Sequence, residues 1–154
     1  MFGEHDRGRI IALDYGKRRI GAAITDELGI TAQSLKTLLV RNKTDAIEQI
    51  GKLVKNYNPV FVVLGLPRSL SGEIGQSGKE VQAFGTLLEK RFGVSVTYFD
   101  EWLTSKQAER VIREMNKKPS RNKEKIDSLS AVFILQTFLE HRIRMRERNS
   151  GIAE

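Results

Sequence analysis

Cysteine is missing from all 154 residues. Its absence excludes disulfides, zinc–thiolate sites and a cysteine nucleophile. Histidine is scarce, with two in the chain. His5 lies in a polar N-terminal stretch and His141 near a charged C-terminus, and neither has the neighbours of a catalytic triad or a zinc site. No apolar run approaches the roughly 20 residues of a membrane-spanning helix. The opening Met1-Phe2-Gly3-Glu4-His5-Asp6-Arg7 is too charged for a signal peptide. A cytoplasmic protein with no membrane partner is expected. There is no internal repeat and no low-complexity linker, so the length reads as one domain over 1–154, with its core at about 8–140. The polar extension 142–154 is expected to fray.

Charge is plentiful. Hydrophobic residues make up 40% and charged residues 29%, the balance of a soluble globular chain, and the net charge of +7 favours a polyanionic partner. The apolar pattern sets the order of elements. Residues 9–15 read as a buried strand, and Gly16-Lys17 turns into a second strand at 19–25. Asp26-Glu27-Leu28-Gly29 is a second turn, because Asp and Gly tolerate turn dihedrals. Alternation over 35–40 predicts a third strand. Ile47, Ile50, Val54 and Tyr57 recur at helical spacing, and Asn58-Pro59 stops that helix. Val60 to Leu64 is a continuous apolar run, as in a strand covered on both faces. Ser77 with Glu80 has the form of a capping box before a second helix, which Gly93 ends. Val94 to Asp100 is a fifth strand. Thr104 with Gln107 opens a third helix, and after Pro119 comes a last helix of roughly 20 residues. The order β-β-β-α-β-α-β-α-α predicts a mixed five-stranded α/β sheet, three antiparallel strands and then α/β crossovers, with helices on both faces.

Three acids fall at the ends of these elements. Asp14 closes the first strand, Glu101 follows the fifth, and Asp127 opens the apolar helix Leu129 to Leu139. Acids in such places do not build a core. If they converge they repel one another unless a cation lies between them, and a divalent metal is the usual solution. Carboxylate-held metal amid basic residues points to phosphodiester chemistry on a nucleic acid. Each acid also has a plain alternative: Asp14 as a turn residue, Asp100-Glu101 and Asp127 as complements of a helix dipole. Alternation sends Asp100 and Glu101 to opposite faces, so at most one of the two is expected to serve. In a 3-2-1-4-5 strand order the fifth strand lies about 9–10 Å from the first, and Glu reaches across better than Asp. Ser130 and Ala131 are small at i+3 and i+4 from Asp127, which would let that helix end approach the sheet near Asp14.

Two basic groups flank the proposed ligands. Lys17, Arg18 and Arg19 follow Asp14, with Gly16 allowing a phosphate close to the backbone. Lys117, Lys118, Arg121, Lys123 and Lys125 precede Asp127. Phosphate contacts beside a scissile bond need cations in such places. Arg142, Arg144, Arg146 and Arg148 read as solvated surface. The stretch from Gly65 to Gly78 contains four glycines but fails the Walker pattern, since Glu80 follows Gly78-Lys79 and Glu73 stands where that pattern needs glycine. A substrate-contacting loop is the better reading.

Taken together, Asp14-Tyr15-Gly16-Lys17-Arg18-Arg19-Ile20-Gly21 with Ala23 and Asp26, Gly65-Leu66-Pro67 with Gly72, Asp100-Glu101 with Leu103-Thr104-Ser105, and Asp127 with Ala131 and Ile134-Leu135-Gln136 resemble the YqgF/RuvX family of Holliday-junction-resolvase-like nucleases. The resemblance spans roughly 8–140, and four ordered motifs are far more specific than one. It implies an RNase H-like fold, endonuclease action with two Mg²⁺ (or Mn²⁺) ions held by Asp14, Glu101 and Asp127, and maturation of the 5′ end of pre-16S rRNA in ribosome biogenesis. Trp102 stands where the family usually has Arg, and Ser130 where it usually has Ala. In resolvases of this superfamily the second acid ends the fourth strand; here that strand ends in Gly65-Leu66-Pro67 and the acid follows the fifth. Three rivals remain. A DNA junction resolvase would need a two-fold dimer. An actin-like ATPase would need two such domains. A non-catalytic RNA-binding assembly factor would bind no metal. The expected partner is precursor rRNA, within or outside a pre-ribosomal particle, bound by a monomer or weak dimer.

Overall fold

The computed structural model describes residues 8–67, 73–100 and 123–152, with side chains in the last segment described from Leu129 to Arg148. Glu101, Trp102, the helix expected from Thr104, Lys117, Lys118 and Arg121 lie outside the described residues. So does the 68–72 part of the glycine-containing loop. Among the described residues no helix is long and apolar enough to cross a membrane.

The chain opens with β1 (Ile10–Asp14), β2 (Arg19–Thr25), β3 (Ala32–Ser34) and β4 (Leu38–Leu39). Then come α1 (Lys43–Tyr57), β5 (Phe61–Leu66), α2 (Gln76–Phe92), β6 (Val96–Asp100) and α3 (Lys123–Ile152). The sheet runs β3-β2-β1-β5-β6, with β4 also on β2. β2 is antiparallel to β1, whereas β5 is parallel to β1 and β6 parallel to β5. This is the expected mixed sheet and the expected strand order.

The third strand differs from expectation. It is two short pieces, and 32–34 were not part of the predicted strand. The register explains the break. Ala23 pairs with Ser34 but Ile20 with Leu38, so four steps on one side oppose three on the other. One extra residue makes a bulge, and the ladder is interrupted around Leu35 to Thr37.

The central strands β1 and β5 are largely apolar because the sheet is covered on both sides. Ile11, Leu13, Ile20, Ala22, Val62 and Leu64 pack with Ile47 and Ile50 of α1 and Val81, Phe84 and Leu88 of α2. Ile10, Ala12, Ala23 and Val63 face the other way, onto Ala131, Ile134, Leu135 and Leu139 of α3. Alternation along β1 thus divides odd from even residues between two cores.

The helix ends follow local chemistry. Asn42 caps α1, its side chain accepting from Asp45 N–H at 2.8 Å, while Asp45 accepts from Arg41 N–H at 2.9 Å. Asn58 ends α1 in the left-handed region at φ 46°. The expected capping box of α2 is not formed. The helix begins at Gln76 with Gly75 as its cap and no side-chain capping bond, which puts Ser77 inside the first turn. Gly93 ends α2 as expected, at φ 66°.

The 26–31 turn is braced by Asp26. Its carboxylate accepts from Ile30 N–H at 2.8 Å and from the Thr31 hydroxyl at 3.2 Å, and Gly29 adopts φ 72°. The bond from Ile30 N–H, helped by Thr31, holds the Asp26 carboxyl below its usual range. A depressed folded-state value stabilises the fold above the ordinary carboxylate pKa, and the gain disappears as pH falls through the folded value. The gap in urea midpoint between wild type and Asp26→Ala should therefore be widest near pH 7 and should shrink below about pH 4. A gap that does not change with pH would assign the effect to the turn backbone alone.

α3 is longer than the sequence suggested. It has 30 residues and continues through the stretch expected to fray. Arg142 is 6% exposed, with its guanidinium 5.8 Å from the centre of the Phe61 ring. Phe138 packs edge-on to both Phe61 and Phe99, at 5.6 and 5.9 Å. A long arginine stem can cover apolar surface while its head meets an aromatic face, so a polar residue extends the docked part of the helix.

Candidate active site

β1, β5 and β6 point the same way, so Asp14, Leu66 and Asp100 end at one edge of the sheet. Clefts at the carboxyl ends of parallel strands are the usual ligand sites of open α/β sheets. Asp14 has the parity of Ile10 and Ala12 and so belongs to the face covered by α3. It is half-buried and pairs with Gly21 of β2. Leu13 pairs with Leu64, and the same register carried one residue further sets Gly65 beside Asp14. A residue without a side chain therefore stands on each flank of this carboxylate.

Tyr15 fixes the strand end from the opposite face. Its ring lies 4.2 Å from that of Phe84, a fully buried residue of α2. Burial, and secondarily the charge of Glu80, push the Tyr15 phenol above its ordinary value, so it stays neutral at physiological pH. Tyr15 is therefore a packing group, and its alternation with Leu13 was the sequence signal for that. Gly16 has a structural reason besides any phosphate contact. A Cβ there would lie 2.5 Å from the Arg19 carbonyl oxygen, so the tight β1–β2 turn itself demands glycine. Lys17 and Arg18 are exposed on that turn and Arg19 is half-buried. The Arg18 carbonyl accepts from Val40 N–H at 2.8 Å, tethering the basic turn to the end of β4.

The fifth strand alternates between the two cores. Val96 and Tyr98 join the α1–α2 core, and Phe99 joins the α3 core. Asp100 follows at the strand end, exposed and with the parity of Tyr98. It is on the face opposite Asp14. Asp127 is the fifth residue of α3, four before Ala131 and seven before Ile134, both fully buried. The helix starts earlier than expected, at Lys123, so Asp127 falls in the second turn. Dipole complementation is concentrated in the first turn, and the plain reading of Asp127 is weakened accordingly. Lys123 and Lys125 precede it on the same helix. Among the described residues no group of three or more metal-ligating side chains occurs; of the three proposed acids, the side chain of Asp14 alone is among them.

The fold is that of the RuvC-like resolvases, an RNase H-like sheet. RuvC of Thermus thermophilus, solved with a Holliday junction substrate, superposes with a TM-score of 0.57 at 15% identity, covering 88% of this chain and 96% of that one. The Fowlpox virus resolvase, solved with junction DNA, gives 0.53 at 18% identity over 86% and 97% of the two chains. Sequence relatives are much nearer. A protein of Koribacter versatilis named as a candidate pre-16S rRNA nuclease is 45% identical over 135 residues, 88% of each chain. One of Lactococcus lactis with the same name is 39% identical over 134 residues, 86% of this chain and 94% of that one. The family model described as RuvX, Holliday junction resolvase, matches residues 8–141, from just before β1 to the docked part of α3, and the chain belongs to that family.

Proposed function

We propose that this protein is a metal-dependent endonuclease that processes the 5′ end of pre-16S rRNA, as one RNase H-like domain acting as a monomer or weak dimer. The observation that carries the reading is Asp14: a half-buried carboxylate at the end of a central strand, between two glycines and beside an exposed basic turn. The name shared by the nearer relatives supports pre-16S rRNA as substrate. Asp14, Glu101 and Asp127 would hold the metal. The donor set fits Mg²⁺ or Mn²⁺, since all three are hard carboxylate oxygens without histidine or thiolate. Glu101 is preferred to Asp100 because Asp100 has the parity of the wrong face. Asp127 is preferred to a capping role because helical spacing puts it on the stripe of Ala131 and Ile134. A bound pair of such ions supplies Lewis acidity at the attacking and leaving oxygens of the phosphodiester.

The chain's own contribution is positioning. The Tyr15–Phe84 contact holds the end of β1, and Gly21 and Gly65 leave room beside the carboxylate for a sugar–phosphate backbone. Lys17 and Arg18, with Arg19 and the 117–125 cluster, would bind flanking phosphates. Replacing Lys17 and Arg18 together by Ala should flatten the salt dependence of RNA binding by about 1.4–1.8 log units per log salt, two contacts at about 0.7–0.9 each. An unchanged slope would return that turn to ordinary solvation.

A second reading is favoured by the family's description and by the RuvC-like fold: a DNA junction resolvase. Among the described residues the exposed large apolar side chains, Leu28, Ile30, Leu39, Leu87 and Ile143, are dispersed over a turn, β4, α2 and α3. That scatter does not suit the large apolar interface of a stable two-fold dimer. End-labelled precursor rRNA and a synthetic four-way junction, each with and without Mg²⁺, decide between them. Mg²⁺-dependent single cuts in the rRNA are expected. Symmetric cuts in the junction alone would establish the resolvase. Binding without cleavage of either substrate would leave a ribosome-assembly factor.

A further inference from the structure

Beyond Arg142 no described residue of α3 belongs to either core, and the exposed surface of this part of the helix is rich in arginine. Near the end of its docked part, His141 lies 6.0 Å from the Phe99 ring and Arg142 lies over Phe61. The helix nevertheless continues to Ile152, ten residues further, or about 15 Å. In 143–148 the two apolar residues, Ile143 and Met145, fall on opposite sides of the helix. There is no stripe to bury against a membrane or a partner helix. The cations are all arginine. Arg144 and Arg148 are exposed, one turn apart, in line with His141 at i, i+3 and i+7. Glu140 and Glu147 border the stripe, yet neither Arg144 nor Arg148 has an ion pair among the described residues.

From this we infer that the His141-Arg144-Arg148 face of α3 is a second nucleic-acid contact, gripping the sugar–phosphate backbone of a duplex flank away from the cleavage site. Arginine suits this role better than lysine, because its planar fork can donate two hydrogen bonds to one phosphate. The helix acts as a rigid ruler. From Asp127 to Arg148 is 21 residues, about 32 Å along the axis, or roughly nine base-pair steps at 3.4 Å. The inference rests on the nuclease reading for the position of the scissile bond, but not for the contact itself.

The test compares wild type with Arg144→Gln/Arg148→Gln, which keeps helix propensity, and with Arg144→Lys/Arg148→Lys, which keeps charge. Binding to a labelled RNA duplex of about 20 base pairs is followed by anisotropy between about 50 and 200 mM salt, over which phosphate contacts dominate the slope. The glutamine pair should flatten the slope by about 1.4–1.8, and the lysine pair should restore it. Cleavage of a four-nucleotide strand, too short to reach Arg144, should be the same in all three proteins. An unchanged slope with the glutamine pair overturns the inference. So does an equal loss of cleavage on the four-nucleotide strand, or loss of flotation with phosphatidylglycerol vesicles while RNA binding is kept. Failure of the nuclease reading looks different: wild type cuts neither substrate, and the duplex slope still responds to the arginines.

Discussion

Asp14→Asn is expected to remove cleavage while leaving the fold intact. Asparagine is the same size, so Gly21 and Gly65 keep their places beside position 14 and the sheet ladder is undisturbed. What is lost is a negative charge where three acids are proposed to hold divalent metal. Metal stabilisation of phosphodiester charge is worth several kcal/mol, so a fall of about 1000-fold or more is expected. The same change removes repulsion between carboxylates, so in EDTA the thermal midpoint should be at or above that of wild type. Mg²⁺ should raise the midpoint of wild type by mass action and leave the variant unmoved. Cleavage at near wild-type rate in Asp14→Asn would remove this residue from the chemistry.

Phe84→Ala is expected to have the largest effect on stability. Phe84 is the largest fully buried side chain among the described residues and sits on α2 against the sheet. Truncation of a buried Phe costs about 3–5 kcal/mol through lost transfer energy and the cavity left behind. Here the cavity would open directly under Tyr15, whose ring is 4.2 Å away. The end of β1 would lose its anchor, and Asp14 its fixed orientation. Activity measured well below the melting temperature should therefore fall as well. Phe84→Leu should recover most of the stability but less of the activity, since it fills volume without the ring contact. Equal recovery of both would confine Phe84 to a stability role.

The sheet was legible in the sequence because its signals are strong and local. Val60 to Leu64 is apolar without interruption, which only a doubly covered strand tolerates, and β5 is that strand. Asn58 and Gly93 announced helix ends through their freedom at positive φ. The bulge between β3 and β4 was not legible, because alternation over 35–40 survives a one-residue slip in pairing. The Ser77 capping box failed because Gly75, two residues earlier, can also end a loop. The length of α3 was missed for a different reason: Arg142 is polar by composition, and only the Phe61 ring beneath it makes it a core residue. At the site, the parity of Asp14 followed from β1 alone. The glycines beside it did not, since Gly21 and Gly65 become neighbours of residue 14 only through pairing with two other strands. Glu101, and the cations from Lys117 to Arg121, stand where the sequence put them as expectations.

The two cores differ in when they can form. Ile10, Ala12, Ala23 and Val63 pack onto α3, whose described buried residues run from Ser130 to Arg142. β6 ends at Asp100. During synthesis the sheet can close with α1 and α2 on one side before the α3 residues that pack on its other side are made. At about 5–20 residues per second, the forty or so residues from Asp100 to Leu139 take about 2–8 s. For the first part of that interval Asp127, the last of the proposed acids, has not been made, and for all of it the α3 residues that pack on this face are incomplete. The helix that packs on this face thus also carries the last of the proposed acids.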